Sequence, residues 1–458
     1  MDSLCVIILA AGKGTRFKSN QVKVLHRLMG KPMLGWILES VFRLDPKKIF
    51  VVVGFQKEAV KKEFNQKKIE FVHQKRQFGT AHAVLSVKDF IKTDLCEDFL
   101  IINGDLPLIR TETLEPLVEK HRKEKNDLTF MSAEMKDPTG FGRLIRGKKS
   151  RVRIIEEREA SAEQKRIKEA NVGIYIFKAG PLLKSLPKVK NDNKKGEYYL
   201  TDTVEILSEE GRRVGVHKTE NSEEIVGVND RSEMASAVRK LRLRKIKRLA
   251  EMGVTFYDPD STWIDADVKI GRDSVVYPFA VLEGRTVIGK ECVIFPSAHI
   301  IDSKIGDRSK ILSSSTIEES LIQENVKVGP FAHLRPETVL KKGSKVGNFV
   351  EMKKTVFGEN SKAGHLSYLG DSVIGKEVNI GAGTITCNYD GKKKHRTIIE
   401  DGAFIGSGTE LVAPVKVGKK AYIGAGSTIT KDVLPYSLAV ERSPQKQRKD
   451  WVKNKKRK

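Results

Sequence analysis

The sequence predicts two unlike halves, an α/β domain with a mostly parallel sheet and a parallel β-helix, joined by a long basic helix. Three observations carry this. In the first half, apolar β-branched runs such as Val6–Leu9, Ile49–Val53 and Phe99–Ile102 alternate with helical stretches. From Arg231 to Met252 strong helix formers run almost unbroken until Gly253 supplies a stop. Beyond Gly253, Ile-Gly and Val-Gly pairs recur at a fixed period.

The elements follow in order. Leu4–Ala11 reads as a buried first strand running straight into Gly12-Lys13-Gly14. Pro32 to Val41 carries apolar residues at helical spacing. In the second half, Ile270-Gly, Ile288-Gly and Ile305-Gly are 18 and 17 residues apart, and Ile405-Gly and Ile423-Gly are 18 apart. A six-residue beat lies inside this period, as from Ile374 to Ile380 and from Val417 to Ile423. Three beats make one triangular coil with its aliphatic side chains stacked inward, a repeat that ordinary hairpins do not hold. Exposed ends and flanks make oligomerisation the expectation. The boundaries read as 1–230, a linker helix over 231–252, a β-helix over 253–441 and a basic tail over 442–458.

A chain of 458 residues with 39% hydrophobic and 31% charged residues has ordinary globular composition, long enough to bury a large core without staples. Cys5, Cys96, Cys292 and Cys387 lie far apart with no CxxC pair, which argues against disulfides and a zinc site and suits a reducing cytosol. The N-terminus lacks a basic n-region, so it does not read as a signal peptide, and no apolar run reaches the ~20 residues of a membrane span. A soluble cytoplasmic protein without a membrane partner is expected. The net charge of +25 arises from 84 Lys and Arg against 59 Asp and Glu. It fits either a nucleic-acid partner or an enzyme whose ligands are anions. No aromatic residue interleaves with the basic run Arg239–Arg248, so a stacking platform for nucleic acid is not expected. The helix is expected to carry this charge on its exposed face.

Glycines directly after a buried strand let backbone N–H groups approach phosphate, and Lys13 and Arg16 add charge there. GxxxxGK[ST] is absent, and Phe17 replaces the last glycine of GxGxxG. Taken alone, GKGTR is a phosphate loop or a structural turn. Asn103-Gly104-Asp105 ends another apolar strand, where open α/β sheets bind ligands. Asp105 there is a Mg²⁺ ligand beside a triphosphate or a turn former. Two segments of the repeat region break its rhythm with chemically loaded residues, His333–Lys354 and Ser361–Asp390. Their density of Arg, Lys, His, Tyr and Asn points to a site between neighbouring coils or chains.

The strings LAAGKGTR, Lys23-Val-Leu-His26, Gln77-Phe-Gly79-Thr80-Ala-His82 and Gly104-Asp105 resemble the sugar-1-phosphate nucleotidylyltransferases. Asp137–Arg143, Ile155-Glu156-Glu157, Asn171–Tyr175, Gly196–Tyr199 and Val228-Asn229 continue the pattern. With the repeat region, nearly the whole chain resembles the family of bacterial bifunctional UDP-N-acetylglucosamine pyrophosphorylase/glucosamine-1-phosphate N-acetyltransferases. The resemblance implies a Rossmann-like nucleotidyltransferase domain and a left-handed hexapeptide β-helix. It implies that Leu9, Ala10, Ala11 and Gly12 line the uridine nucleotide, with Lys23 on the phosphates. Gln74, Gly79 and Thr80 match the uracil positions, and Asn103 and Gly104 belong to the same substrate site. Asp105 and Asn229 match the Mg²⁺ ligands, while Gly142, Glu156 and Asn171 match the positions that hold N-acetylglucosamine. In the repeat region Arg335 and Lys353 match the sugar-phosphate ligands, with Tyr368 and Asn379 beside them, and His365 matches the catalytic base. Ala382, Asn388, Tyr389, Ser407, Ala425 and Arg442 match acetyl-CoA positions.

The implied substrates are UTP, glucosamine 1-phosphate, N-acetylglucosamine 1-phosphate and acetyl-CoA, in a homotrimer whose chains share each acetyltransferase site. Nucleic acid is not an expected partner. Val22 stands where the family usually has proline, and Val172 where threonine is common. The tail past Arg442 either helps hold coenzyme A or is simply solvated. Two rival readings remain at this level: a single-activity nucleotidylyltransferase with a β-helix used for assembly, and a regulatory subunit without catalysis. HLSYLGD and TCNYDG argue against the first; Gly12-Lys13-Gly14, Asp105 and Asn229 argue against the second.

Overall fold

The computed structural model describes residues 4–93, 95–147, 151–453 and 455. Two compact units divide the chain, Met1–Leu241 and Arg242–Lys458, the division falling inside the helix Arg231–Glu251. Residues 454 and 456–458 of the basic tail lie outside the described residues. Among the described residues no helix is long and apolar enough to cross a membrane.

The first unit is built on one sheet. Its strands are β1 (Leu4–Ala10), β2 (Lys48–Val53), β3 (Ile69–His73), β4 (Asp98–Asn103), β5 (Leu128–Glu134), β6 (Arg143–Arg146), β7 (Val152–Ile155), β8 (Glu169–Lys178) and β9 (Val214–Thr219). The order is β9-β5-β8-β4-β1-β2-β3, with β6 joining β8 to β7. Pairings β4-β1-β2-β3 and β5-β9 are parallel, and β8 runs antiparallel between β4 and β5. The central strands read as continuous apolar runs because both faces are covered. Val6 and Ile8 enter one core cluster, Cys5 and Ile7 the other.

Cys5 and Cys96 form a disulfide, which corrects the expectation drawn from cysteine spacing. The parallel register sets Cys5 opposite Phe99, so the segment leading into β4 lies beside the start of β1. Ninety-one residues of separation hid this contact from a reading based on local spacing.

The second unit is the expected β-helix. Its short strands stack in three parallel sheets of eleven, ten and nine strands, coil upon coil. The register keeps one inward column running Ile294, Ile311, Val328, Val346. These side chains are 0–1% exposed and belong to a single continuous core. The corners are polar yet dry. Ser274 donates to the Gly289 carbonyl and accepts the Cys292 N–H one coil on, and Ser309 repeats the pattern with Gln323 and Val326. Such satisfied hydroxyls let the chain turn inside a core without stranded polar groups. The basic run lies on the open side of the long helix as expected, with Leu241 and Ile246 buried and Arg239, Lys247 and Arg248 exposed, and part of it is also structural. Arg242 and Lys245 donate to the carbonyls of Asp260 and Ala266 in the first coil.

Ile311 touches both neighbouring coils, so Ile311→Ala should cost the second unit about 2–5 kcal/mol in urea denaturation. Val287→Ala, on the exposed side of its strand, should stay within about 0.5 kcal/mol of the parent protein.

Candidate active sites

Parallel strands β1 and β4 end level with one another, Leu9 opposite Asn103, and the Gly104 N–H donates to the Leu9 carbonyl at 2.8 Å. The loop after β1 and Asp105 therefore open at the same edge. Gly14 turns the loop with φ 64°, and a Cβ there would lie 2.7 Å from the Lys23 Cβ. Glycine is required both for the left-handed turn and for the lysine stem packed against it. Lys23 Nζ lies 2.6 Å from Asp105 Oδ2 and 3.5 Å from Asn229 Oδ1. Val22 is fully buried, and its N–H donates to Gln56 Oε1 at 2.8 Å while Gln56 Nε2 donates to the Asn20 carbonyl. A proline at 22 could not make the first of these bonds, which accounts for valine there.

Asn229 is set by the start of the long helix. Asp230 accepts the Glu233 N–H at 2.8 Å, and the Glu233 carboxylate accepts the Asn229 N–H at 2.5 Å, a variant of the capping box. Val228 N–H donates to the Asp105 carbonyl, which ties this segment to the end of β4.

A cleft of about 420 Å³ joins Leu9, Thr80, Asn103, Asp105, Gly142, Glu156, Asn171 and Asn229. Asn171 sits where the β8–β5 register slips, Gly173 (φ 75°) easing the bulge. Its amide donates to the Tyr175 hydroxyl at 2.7 Å, and its N–H to the Gly142 carbonyl at 2.8 Å. Glu156 accepts the Thr201 hydroxyl at 3.0 Å. Burial raises the Glu156 carboxyl above its usual value and raises the Tyr175 hydroxyl further. Asp202 is pushed up to about 6 by burial and then by the charge of Glu156. Thr80 receives the Leu200 N–H, and Gln74, 3% exposed, donates to the Gly79 carbonyl and contacts His82 Nδ1. Gly79 has φ 111°, and a Cβ there would lie 2.4 Å from the Tyr198 carbonyl oxygen. Tyr175, Thr201 and Glu233 line the cleft too but were given no role from sequence; Tyr175 closes the string Asn171–Tyr175, Thr201 lies two residues past Gly196–Tyr199, and Glu233 belongs to a D-x-x-E cap. A wider depression of about 790 Å³, lined by Asn20, Gln56, Lys57 and His73 among others, holds none of the matched residues.

In the second unit the coil register assembles the other cluster. His365 pairs with Asn348 one coil earlier, and its Nδ1 contacts Asn348 Oδ1. That leaves Nε2 of the exposed ring as acceptor when the ring is neutral. Gly408 N–H donates to the Ala382 carbonyl, Gly426 N–H to Ser407, and Arg442 Nη1 to Ala425. His365, Ala382, Ser407 and Ala425 thus step down one corner. The next residue of that corner is bulky down to His365's coil, as Phe331, Phe349 and Leu366, and then becomes Gly383, Gly408 and Gly426, all at positive φ. Arg335 pairs with Glu351 at 2.8 Å, and this partner raises the guanidinium pKa. Tyr368 stacks one coil below Glu351. Lys394 sits against Lys353, and its hydrogen bond, followed by its charge and that of Arg335, pulls the Lys353 pKa down. Lys394, inside a lysine run, was missed from sequence, while Asn348 lies in the loaded segment His333–Lys354 but was given no role there. Asn388, 7% exposed, donates to Asp371 at 2.6 Å, and Tyr389 is exposed. Asn379 does not join Arg335 and Lys353 within this chain. It belongs to a different sheet and pairs with Lys362 and Phe404.

The nucleotidyl transferase family model matches residues 5–265, and the six-repeat bacterial transferase hexapeptide model matches 396–431. The chain is similar to the bifunctional protein GlmU of Thermotoga petrophila, 50% identical over 451 residues that cover 98% of this chain and 99% of the relative. The GlmU of Caldanaerobacter subterraneus is 47% identical and that of Acetivibrio thermocellus 44%, each over 453 residues covering 99% of this chain and 98% of the relative.

The raised Asp202 carboxyl carries a signed prediction. Unfolded Asp ionises near 3.8 but the folded group only near 6, so the native state loses stability as pH rises through that window. Asp202→Asn should raise stability by about 1–3 kcal/mol at about pH 7.5, and the gain should vanish below about pH 4 in thermal melts.

Proposed function

We propose that this chain, which belongs to the bifunctional GlmU family, makes UDP-N-acetylglucosamine in two steps at two sites. The β-helix acetylates glucosamine 1-phosphate from acetyl-CoA, and the N-terminal domain then transfers UMP from UTP to the N-acetylglucosamine 1-phosphate formed. The observation that carries this is that one chain holds both sets of residues: Lys23, Asp105 and Asn229 gathered at the strand edge, and on the solenoid His365 against Asn348 in one sheet, with Arg335, Lys353 and Lys394 grouped beside a second. The cationic group on the coils speaks against a solenoid that serves assembly alone. The domains are 1–230 for uridylyl transfer, the linker helix 231–252, the β-helix 253–441 and the tail 442–458. The cytoplasm is the proposed location, on the activity of the family alone, since the Cys5–Cys96 disulfide removes the argument from cysteine spacing.

In the first step Arg335 and Lys353, with Lys394, bind the sugar phosphate, and Tyr368 stands one coil below Glu351. The neutral amine attacks the thioester carbonyl, the C–N bond forms and the C–S bond breaks. His365 Nε2 accepts the amine proton, its ring steadied through Nδ1 by Asn348, and the thiolate leaves. Ala382, Ser407, Ala425 and Arg442 offer the coenzyme a continuous corner, with glycines in place of bulky side chains beside it. We propose a homotrimer that shares each of these sites, which accounts for Asn379 lying away from Arg335 in its own chain. Phe331, Phe349 and Leu366, each more than half exposed at one corner, supply apolar contact for it.

In the second step a phosphate oxygen of N-acetylglucosamine 1-phosphate attacks the α-phosphorus of UTP and pyrophosphate leaves. Gln74, Gly79 and Thr80 hold the base, Gly142, Glu156 and Asn171 the sugar, and Lys23 meets the phosphates. Such transfer depends on positioning and charge neutralisation more than on covalent help. Asp105 and Asn229 would hold Mg²⁺. Their fit is tested by Lys23, whose ammonium already seats a cation against both oxygens. When bound, Mg²⁺ would neutralise charge on the triphosphate.

One incubation with glucosamine 1-phosphate, acetyl-CoA, UTP and Mg²⁺, following free thiol and pyrophosphate separately, tests the whole reading. Thiol without pyrophosphate, or the reverse, would remove half of it. Asp105→Ala should abolish pyrophosphate formation and leave thiol release near normal; equal loss of both would make Asp105 structural. His365→Ala should lose about 10²–10⁴-fold in thiol release yet still uridylylate supplied N-acetylglucosamine 1-phosphate. Oligomer size is checked alongside. A correctly assembled variant acetylating at more than about a tenth of the normal rate defeats the general-base role.

A further inference from the structure

Lys23 is expected on the phosphates, yet its side chain is turned inward onto the residues assigned to the metal. Its ammonium bridges Asp105 Oδ2 at 2.6 Å and Asn229 Oδ1 at 3.5 Å. Both members of the ion pair are largely shielded, with side chains 13% and 24% exposed. Every partner is held in place. The lysine stem packs against Gly14, the Asp105 carbonyl accepts the Val228 N–H, and the Asn229 N–H is fixed by Glu233.

We infer that Lys23 is an internal counter-cation that occupies the metal position in the nucleotide-free protein and gives it up when phosphates arrive. The inference rests on the reading of Asp105 and Asn229 as metal ligands. One carboxylate and one amide oxygen are a weak donor set for a hard divalent ion, which prefers several oxygens. A lysine already seated there outcompetes the free ion. A triphosphate changes both sides of the balance: its charge draws the ammonium away, and its oxygens complete the coordination of the ion. Metal therefore enters with the nucleotide and not before it, and Asp105 is never left as an unpaired charge in a shielded cleft.

The test uses the full-length protein without nucleotide and Mn²⁺ alone as probe, free Mn²⁺ being read by electron paramagnetic resonance. Only binding that Asp105→Asn removes is counted. The parent protein should bind weakly, and Lys23→Met at least about tenfold more tightly. Arg16→Met removes one charge from the lining of the same cleft without touching Asp105, and should change affinity less than about threefold. Lys23→Gln, which keeps a hydrogen-bonding head without the charge, should also bind more tightly than the parent and replaces Lys23→Met if circular dichroism shows that variant unfolded. Equal gains in Lys23→Met and Arg16→Met would reduce the effect to general electrostatics and overturn the inference. Lys23 variants that bind no tighter than the parent, while Asp105→Asn still removes the residual binding, overturn it and leave the metal site standing. If Asp105→Asn removes no binding in any background, the metal-ligand reading itself falls, and the inference with it.

Discussion

Parallel registration is the constraint on which both active clusters depend. In a parallel pair the strands start and stop level, and their connections return over the faces of the sheet, so successive strand ends gather at one edge. Leu9 opposite Asn103 brings the Gly12 loop and Asp105 together although about ninety residues separate them in sequence. The same pairing at the other end of these strands brings Cys5 to Cys96. In the second unit registration acts in the other direction. Each coil repeats the one before it, so residues one period apart become neighbours across a strand spacing of about 4.8 Å. Asn348 and His365, or Glu351 and Tyr368, meet for that reason alone.

Departures from regular pairing occur where a side chain must be re-aimed. The slip between β8 and β5 lets Asn171 and Tyr175 meet, a pair that an unbroken strand would hold about 13 Å apart. On the solenoid, left-handed corners carry Phe331, Phe349 and Leu366 and then glycine, so the corner narrows below His365 without any change of backbone path. Half-buried Glu156, which lines the cleft, and Asp202 beside it are held with raised carboxyl pKa values, a cost to the folded state.

Much of this was legible in the sequence because it is written in local signals. The 18-residue period needs only the spacing of Ile and Gly, and the inward column of Ile294, Ile311 and Val328 follows from it. The loop after β1 and the placement of Asp105 follow from strand-then-glycine grammar. What could not be read depends on pairings between distant segments. Cys5–Cys96 needs the β1–β4 register, Val22 is explained only by Gln56, and Lys394 gains its meaning from the loop that folds it back on Lys353. The basic linker was legible in its charge but not in its contacts. Composition records the charge of Arg242 and Lys245 but not the carbonyls of Asp260 and Ala266 that receive them. Asn379 marks a further limit, since a position matched to a site need not meet its companions within one chain.

The two clusters also differ in how they hold charge before any ligand arrives, and the difference bears on how each meets its anion. In the cleft the cation is already spent on a carboxylate, Lys23 on Asp105, so binding phosphate there is an exchange of partners. On the solenoid Arg335 has Glu351, but Lys353 has Lys394 beside it, which lowers its pKa by a hydrogen bond and then by its charge. A phosphate arriving between them relieves a repulsion without having to break a pair first. Exchange makes occupancy of the cleft conditional on a second cation taking the place that lysine leaves, which suits the nucleotide and metal proposed for it. Relief of repulsion needs no such partner, and it suits the sugar phosphate proposed for Lys353 and Lys394. The excess of positive charge in the chain is thus put to two physically distinct uses, and composition alone reports only their sum.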